Sequence, residues 1–146
     1  MDRLCELMDD IIRTGIKGIM IFGIPNYKDD LGSGAYDDEG IVQKAVREIK
    51  RIAPDMWVIT DVCMCEYTSH GHCGIVVDND VDNDETLKYI AKIALSHAQA
   101  GADMVAPSDM MDGRVGAIRS ILDENNYKDV SIMAYSAKYS SAFYGP

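Results

Sequence analysis

Apolar positions along the chain switch between two periods, and the switches mark out a regular series of elements. Between residues 3 and 14, Leu4, Leu7, Met8, Ile11 and Ile12 recur at helical spacing, and Gly15 predicts the stop. The run Gly18-Ile-Met-Ile-Phe-Gly23 is short and continuously apolar, which predicts a buried parallel strand. A polar, glycine-rich loop over residues 25–38 follows, read as a solvated loop, with contact to substrate or a lid as the alternatives. A second helix is expected from about Gly40 to Ile52, with Ile41, Val42, Ala45, Val46, Ile49 and Ile52 on one side and Pro54 just past its end. Residues 56–61 predict a second strand. Asp82 to Asp84 offer caps for a helix over 85–100, with Leu87, Ile90, Ala91, Ala94, Leu95 and Ala98 inward and Gly101 as its stop. Strands are expected again at 104–106 and 130–135, separated by a helix from about Gly113 to Glu124.

Helix and strand thus alternate four times, which predicts an α/β chain with a parallel sheet. No Gly-x-Gly-x-x-Gly follows any strand, so a dinucleotide fold has no support. Asp61, Cys63, Cys65, Ser108 and Lys138 all fall at or just after the carboxyl end of an expected strand. A (β/α)8 barrel carries its active site on that face. An open doubly wound sheet would place ligands there too, and periodicity does not separate the two.

The stretch from Asp61 to Gly74 concentrates the chemistry. It holds three of the four cysteines and two of the three histidines, with the cysteines spaced Cys63-x-Cys65 and then Cys73. Thiolates are soft ligands that suit zinc, and three of them leave a fourth tetrahedral position for water or substrate. His70 or His72 would instead close a Cys3His site, and spacing leaves that open. Inert packing of the cysteines is the bland alternative. It suits poorly a loop made of Glu66, Tyr67, Thr68, Ser69, His70, Gly71 and His72. Cys5, on the first helix, reads as an ordinary helix cysteine.

Composition narrows the setting. The 146 residues suffice for one domain with a sizeable core, and 47% hydrophobic with 26% charged residues is ordinary for a soluble chain. Twenty-four acids against fourteen Lys and Arg give a net charge of −10, which argues against nucleic acid or an anionic membrane as partner. No signal peptide or membrane span is expected, and cysteines gathered in a ligand-like loop fit a reducing cytoplasm.

The stretch Asp61-x-Cys63-x-Cys65-x-Tyr67-Thr68-Ser69-His70-Gly71-His72-Cys73-Gly74 resembles the metal-binding signature of the zinc-dependent porphobilinogen synthases, also called 5-aminolevulinate dehydratases. Residues 106–115 and 133–146 match two further stretches of that family, in the same order. The resemblance implies strands two to five of a TIM-type (β/α)8 barrel, about half a barrel and truncated at both ends relative to the family. It implies an enzyme that condenses two molecules of 5-aminolevulinate to porphobilinogen with loss of two waters, on the route to heme, in a homo-oligomer.

Residue by residue, the resemblance makes Cys63, Cys65 and Cys73 zinc ligands and Lys138 a Schiff-base lysine. The aromatic neighbours Tyr135, Tyr139, Phe143 and Tyr144 would desolvate Lys138 and lower its proton affinity; its bland reading is a snorkelling or paired lysine. Asp61 would orient substrate or relay a proton, against a bland reading as the cap of a turn. Ser108 matches an active-site serine, with N-capping of the next helix as the alternative. Tyr144 would sit near the substrate carboxylates, or serve as a core aromatic. Arg114 reads as a structural ion pair, and His72 matches an auxiliary metal position. Mg2+ is a second metal raised for full-length members, at a site outside this chain. The family's second lysine and its carboxylate-binding arginines have no counterpart here, so the isolated chain is expected to be inactive. A zinc-binding half-barrel without turnover, and an aldolase-type lyase using Lys138 alone, are the competing readings.

Overall fold

The computed structural model describes residues 3–142. Helix α1 (Leu4–Arg13) opens the described chain and buries only Met8 fully; Leu7 and Ile12 stay largely outside. Strand β1 (Gly18–Ile21) is shorter than the apolar run that predicted it and only half-buried, because it pairs on one side alone. Helix α2 (Ile41–Ile52) begins after Gly40 and buries Val42, Gln43, Val46 and Ile49. Strand β2 (Trp57–Val62) follows. Helix α3 (Asn83–Ala100) is capped as its sequence suggests: the Asp82 carboxylate accepts from the Glu85 N–H at 2.8 Å, and Gly101 takes the left-handed conformation (φ 107°) that ends it. Strand β5 (Met104–Pro107), helix α4 (Arg114–Glu124) and strand β6 (Ser131–Ile132) complete the series. Although β6 has two residues of regular strand, Met133 N donates to Val105 O and Tyr135 N to Pro107 O. The backbone therefore follows β5 as far as the expected strand 130–135.

One element was not anticipated. Strands β3 (Val76–Val77) and β4 (Asp80–Val81) form a small antiparallel hairpin. Its two central residues, Asp78 and Asn79, both have positive φ, which is the conformation of a tight hairpin turn.

All pairings in the main sheet are parallel, and its order is β1-β2-β5-β6, with no reversal. A doubly wound sheet changes direction at a switch point, whereas a barrel adds each strand beside the last. With the right-handed crossover that parallel units almost always adopt, sequential order keeps the helices on one side of a sheet. The core fits this layering in two clusters. Met8, Val42, Val46, Ile49 and Val58 fill the space between α1, α2 and β2. Val62, Met64, Ile90, Ile93, Val105, Ile118 and Leu122 fill that between β2, β5, α3 and α4. Within α3 the buried set also includes Ser96 and His97, because this helix packs against α2, α4 and the sheet at once. No helix of the described residues is long and apolar enough to cross a membrane.

Candidate metal centre

Strand β2 carries Asp61 near its carboxyl end and delivers Cys63 one residue beyond it. The chain then turns tightly: Tyr67 N and Thr68 N both donate to Met64 O, at 2.8 and 2.9 Å. Met64 and Tyr67 are driven into the core, which pins the loop between the first two thiols and the third. Thr68, fully buried, donates its hydroxyl to His72 O at 2.8 Å and brings the chain back to Cys73.

The result is a thiol cluster. The Cys63, Cys65 and Cys73 sulfurs all lie within 4.8 Å of one another, and Cys63 and Cys65 approach to 3.4 Å. All three cysteines are free, Cys63 buried and the other two half-buried. Zinc–sulfur bonds of about 2.3 Å in a tetrahedron hold sulfurs about 3.8 Å apart, so this donor set fits one soft ion. The hydrogen bonds from Cys65 and then Cys73 hold the Cys63 thiol well below its usual range. The same contacts with Cys63 push Cys65 and Cys73 up. Glu66 adds to this, since Cys65 Sγ lies 3.2 Å from its carboxylate.

Three further residues meet this cluster. Burial pushes the Asp61 carboxyl up to about 7, against the opposing influence of the Ser108 hydroxyl and, more weakly, the Lys138 charge. Asp61 Oδ1 is buried without a hydrogen-bond partner among the described residues. Ser108 follows β5, and its N–H donates to Val62 O at 3.1 Å, locking the ends of the two strands together. Ser108 does not cap the next helix: Gly113 occupies that position, five residues on. Lys138 lies beyond β6, donates through Nζ to Ser108 O, and its charge also reaches Cys73.

The aromatic surroundings expected to desolvate Lys138 are not there among the described residues. Lys138 is exposed, Tyr139 is 87% exposed, and only the Tyr135 ring comes near, at 5.6 Å. Tyr144 and Phe143 lie outside the described residues.

Two features escaped the sequence reading. Asp109, next to Ser108, is buried, and burial pushes its carboxyl up to about 6. It accepts from Met111 N at 2.8 Å and lies 3.7 Å from Arg114, the ion pair anticipated for that arginine without its partner. Arg114 also reaches Met111 O at 3.1 Å and Tyr135 O at 3.5 Å, tying α4 to the segment that leads to Lys138. An acid five residues before an arginine at a strand end was the available signal. His70, the other feature, uses both ring nitrogens within the loops: Nδ1 accepts from His72 N at 3.1 Å, and Nε2 faces Asp30 O at 3.3 Å.

Fold and site together define a barrel-type α/β chain whose chemistry sits at the carboxyl ends of successive strands. A family model described as delta-aminolevulinic acid dehydratase matches residues 1–146, and the chain belongs to that family. Its curated relatives include the delta-aminolevulinic acid dehydratase of Ruminiclostridium josui, 55% identical over 145 residues that cover 99% of this chain and 71% of that one. Those of Methanothermus sociabilis and Bacillus subtilis, 59% and 51% identical, are each matched over all of this chain and 45% of their own length. The chain thus spans less than half of those two relatives. Among solved structures, the Toxoplasma gondii delta-aminolevulinic acid dehydratase in complex with the reaction product porphobilinogen aligns with a TM-score of 0.90 at 40% identity. That match covers 97% of this chain and 42% of the other. The fold is therefore part of the TIM barrel of that enzyme, as its strand order indicates.

Proposed function

We propose that this chain contributes the metal loop and one amine-bearing strand end to a porphobilinogen synthase, a lyase that condenses two molecules of 5-aminolevulinate with loss of two waters. The observation that carries the reading is the meeting of Asp61, Ser108 and Lys138 beside three clustered thiols, from three neighbouring strand ends. In this reading Cys63, Cys65 and Cys73 hold zinc, which when bound polarises an oxygen or amine of the substrate. Lys138 Nζ attacks the ketone carbon of one substrate. A carbon–nitrogen bond forms, the carbonyl oxygen leaves as water, and a protonated Schiff base remains. That attack needs an unprotonated amine, and Asp61 is the acid placed to take up and return the proton. The Ser108 hydroxyl orients the Asp61 carboxylate. Tyr144 is assigned to the substrate carboxylate on the resemblance alone.

A single strand-end amine leaves the second substrate unheld, and condensation draws its rate from holding both together. The exposure of Lys138 supports the same reading, that residues 1–146 by themselves bind metal and make no porphobilinogen. The test is a pyrrole colour assay with 5-aminolevulinate on the isolated chain, repeated with the complementary part of a full-length relative. Turnover on complementation that is lost in Lys138→Met supports the reading. Steady turnover by the isolated chain refutes the composite site, and metal binding without recovery leaves the inert half-barrel in its place.

A further inference from the structure

The polar loop between β1 and α2 is not simply a solvated excursion. Its backbone runs beside the cysteine loop: Asp29 N donates to Tyr67 O at 3.2 Å, and Ser69 N donates to Asp29 O at 3.0 Å, so that Asp29 and Thr68 form a parallel bridge. Side chains add a second seam. The Ser69 hydroxyl donates to the Asp30 carboxylate. The Nδ1 atom of His70 accepts from His72 N, which leaves the proton on Nε2, facing the Asp30 carbonyl. Both ring nitrogens are thereby occupied.

The loop is itself held rigidly. The Asp29 carboxylate accepts from Leu31 N at 3.0 Å, from Ser33 N at 2.9 Å and from the Ser33 hydroxyl, closing the turn. Further along, the buried Gln43 amide donates to Ala35 O at 2.9 Å and to Ser96 Oγ at 2.8 Å. The loop is therefore fastened to α2 and α3 at one end and to the cysteine loop at the other.

We propose that residues 25–38 act as a clamp that holds the cysteine loop in its ligating shape, with Asp30 and His70 as positioning residues and His70 outside the ligand set. In its consequence for metal this rests on the zinc reading above; the clamp itself does not. The side-chain hydrogen bonds of the seam are exposed, and losing one is worth about a fivefold change in an equilibrium.

The experiment uses cobalt(II) as the probe, with affinity measured by competition against a chelator. Asp30→Ala, Ser69→Ala and His70→Ala should each weaken cobalt binding about fivefold. Asp30→Asn, which keeps an acceptor for Ser69, should restore binding close to the parent value. At saturation all four variants should show the parent's thiolate charge-transfer and ligand-field bands. Hydrogen exchange on the metal-free protein supplies an independent readout: the Ser69 and His72 amides should exchange faster in Asp30→Ala and His70→Ala, with the amides of α3 unaffected. Unchanged affinity in both Asp30→Ala and Ser69→Ala overturns the clamp, as does unchanged exchange. An altered ligand-field envelope in His70→Ala makes that residue a ligand and overturns its assignment. A parent protein that takes up no cobalt removes the zinc reading, and the exchange result then decides the clamp alone.

Discussion

Acid should destabilise this fold through a residue with no part in the site. His97 on α3 is completely buried, and neither ring nitrogen has a hydrogen-bond partner among the described residues. Burial alone depresses its imidazolium from 6.5 to about 3. Above pH 6.5 the ring is neutral in both folded and unfolded chains and contributes no pH dependence. Below that value the unfolded chain binds a proton that the folded one refuses, so stability falls with pH until the folded value is reached. The slope is about 1.4 kcal/mol per pH unit, which amounts to about 3 kcal/mol near pH 4.5. Asp61 and Asp109 act in the opposite sense, because burial raises their carboxyls and the folded chain then holds the extra proton. The measurement must therefore be a difference. Denaturant unfolding of the metal-free chain and of His97→Leu, followed from pH 7.5 to 4.5, cancels the carboxyl contributions common to both. The variant should match or exceed the parent at pH 7.5, since it removes two unpaired buried nitrogens, and its advantage should grow by about 3 kcal/mol at the acid end. A difference that stays flat across the range would refute the reasoning, because it would mean that the ring is solvated or paired.

Three further outcomes are expected. Cobalt-substituted, reduced protein should show thiolate charge-transfer bands that collapse in Cys63→Ala, Cys65→Ala and Cys73→Ala; unchanged bands in all three would remove the metal centre. Gly74→Ala should weaken cobalt binding at least tenfold. Its Cβ would lie 2.5 Å from Thr86 Oγ1 and 2.7 Å from Val81 Cγ1. Thr86 is fixed by its bonds to Ile75 N and Asp82 O, so the strain falls on Cys73. Sedimentation should show self-association, because among the described residues β1 and β6 each pair on one side only and Phe22, Ile24 and Met133 are exposed; a sharp monomer boundary at high concentration would contradict this.

Much of the fold was legible because its signals are local. Asp82 before α3 and Gly101 after it mark that helix by cap chemistry alone, and the thiol cluster follows from a spacing within eleven residues. What was hidden depends on distant partners. The apolar run at 18–23 looked like a fully buried strand, but burial is set by neighbours that a linear pattern does not name. The hairpin at 76–81 was too short to show a period, although Asp78-Asn79-Asp80 between Val77 and Val81 was a turn signal. Lys138 was expected among aromatics because they are close in sequence, while exposure is decided in space. The seam between Asp29-Asp30 and Ser69-His70 joins residues about forty apart by single hydrogen bonds, which leave no mark on composition or periodicity.

The strictly sequential order of the main sheet bears on how the chain acquires its structure. Every pairing, Gly18 with Trp57, Ile59 with Met104 and Met104 with Ser131, joins a strand only to the next one made. A nascent chain leaving the ribosome can therefore dock each unit on its predecessor without waiting for distant sequence, and loop-closure entropy is met in small instalments. The thiol cluster follows the same timetable, since all three cysteines and the Asp29 seam are present once β2 and its loop have emerged. Only Ser108 and Lys138 arrive later, on β5 and beyond β6. On the zinc reading proposed above, metal capture would then precede completion of the lysine side of the site during synthesis.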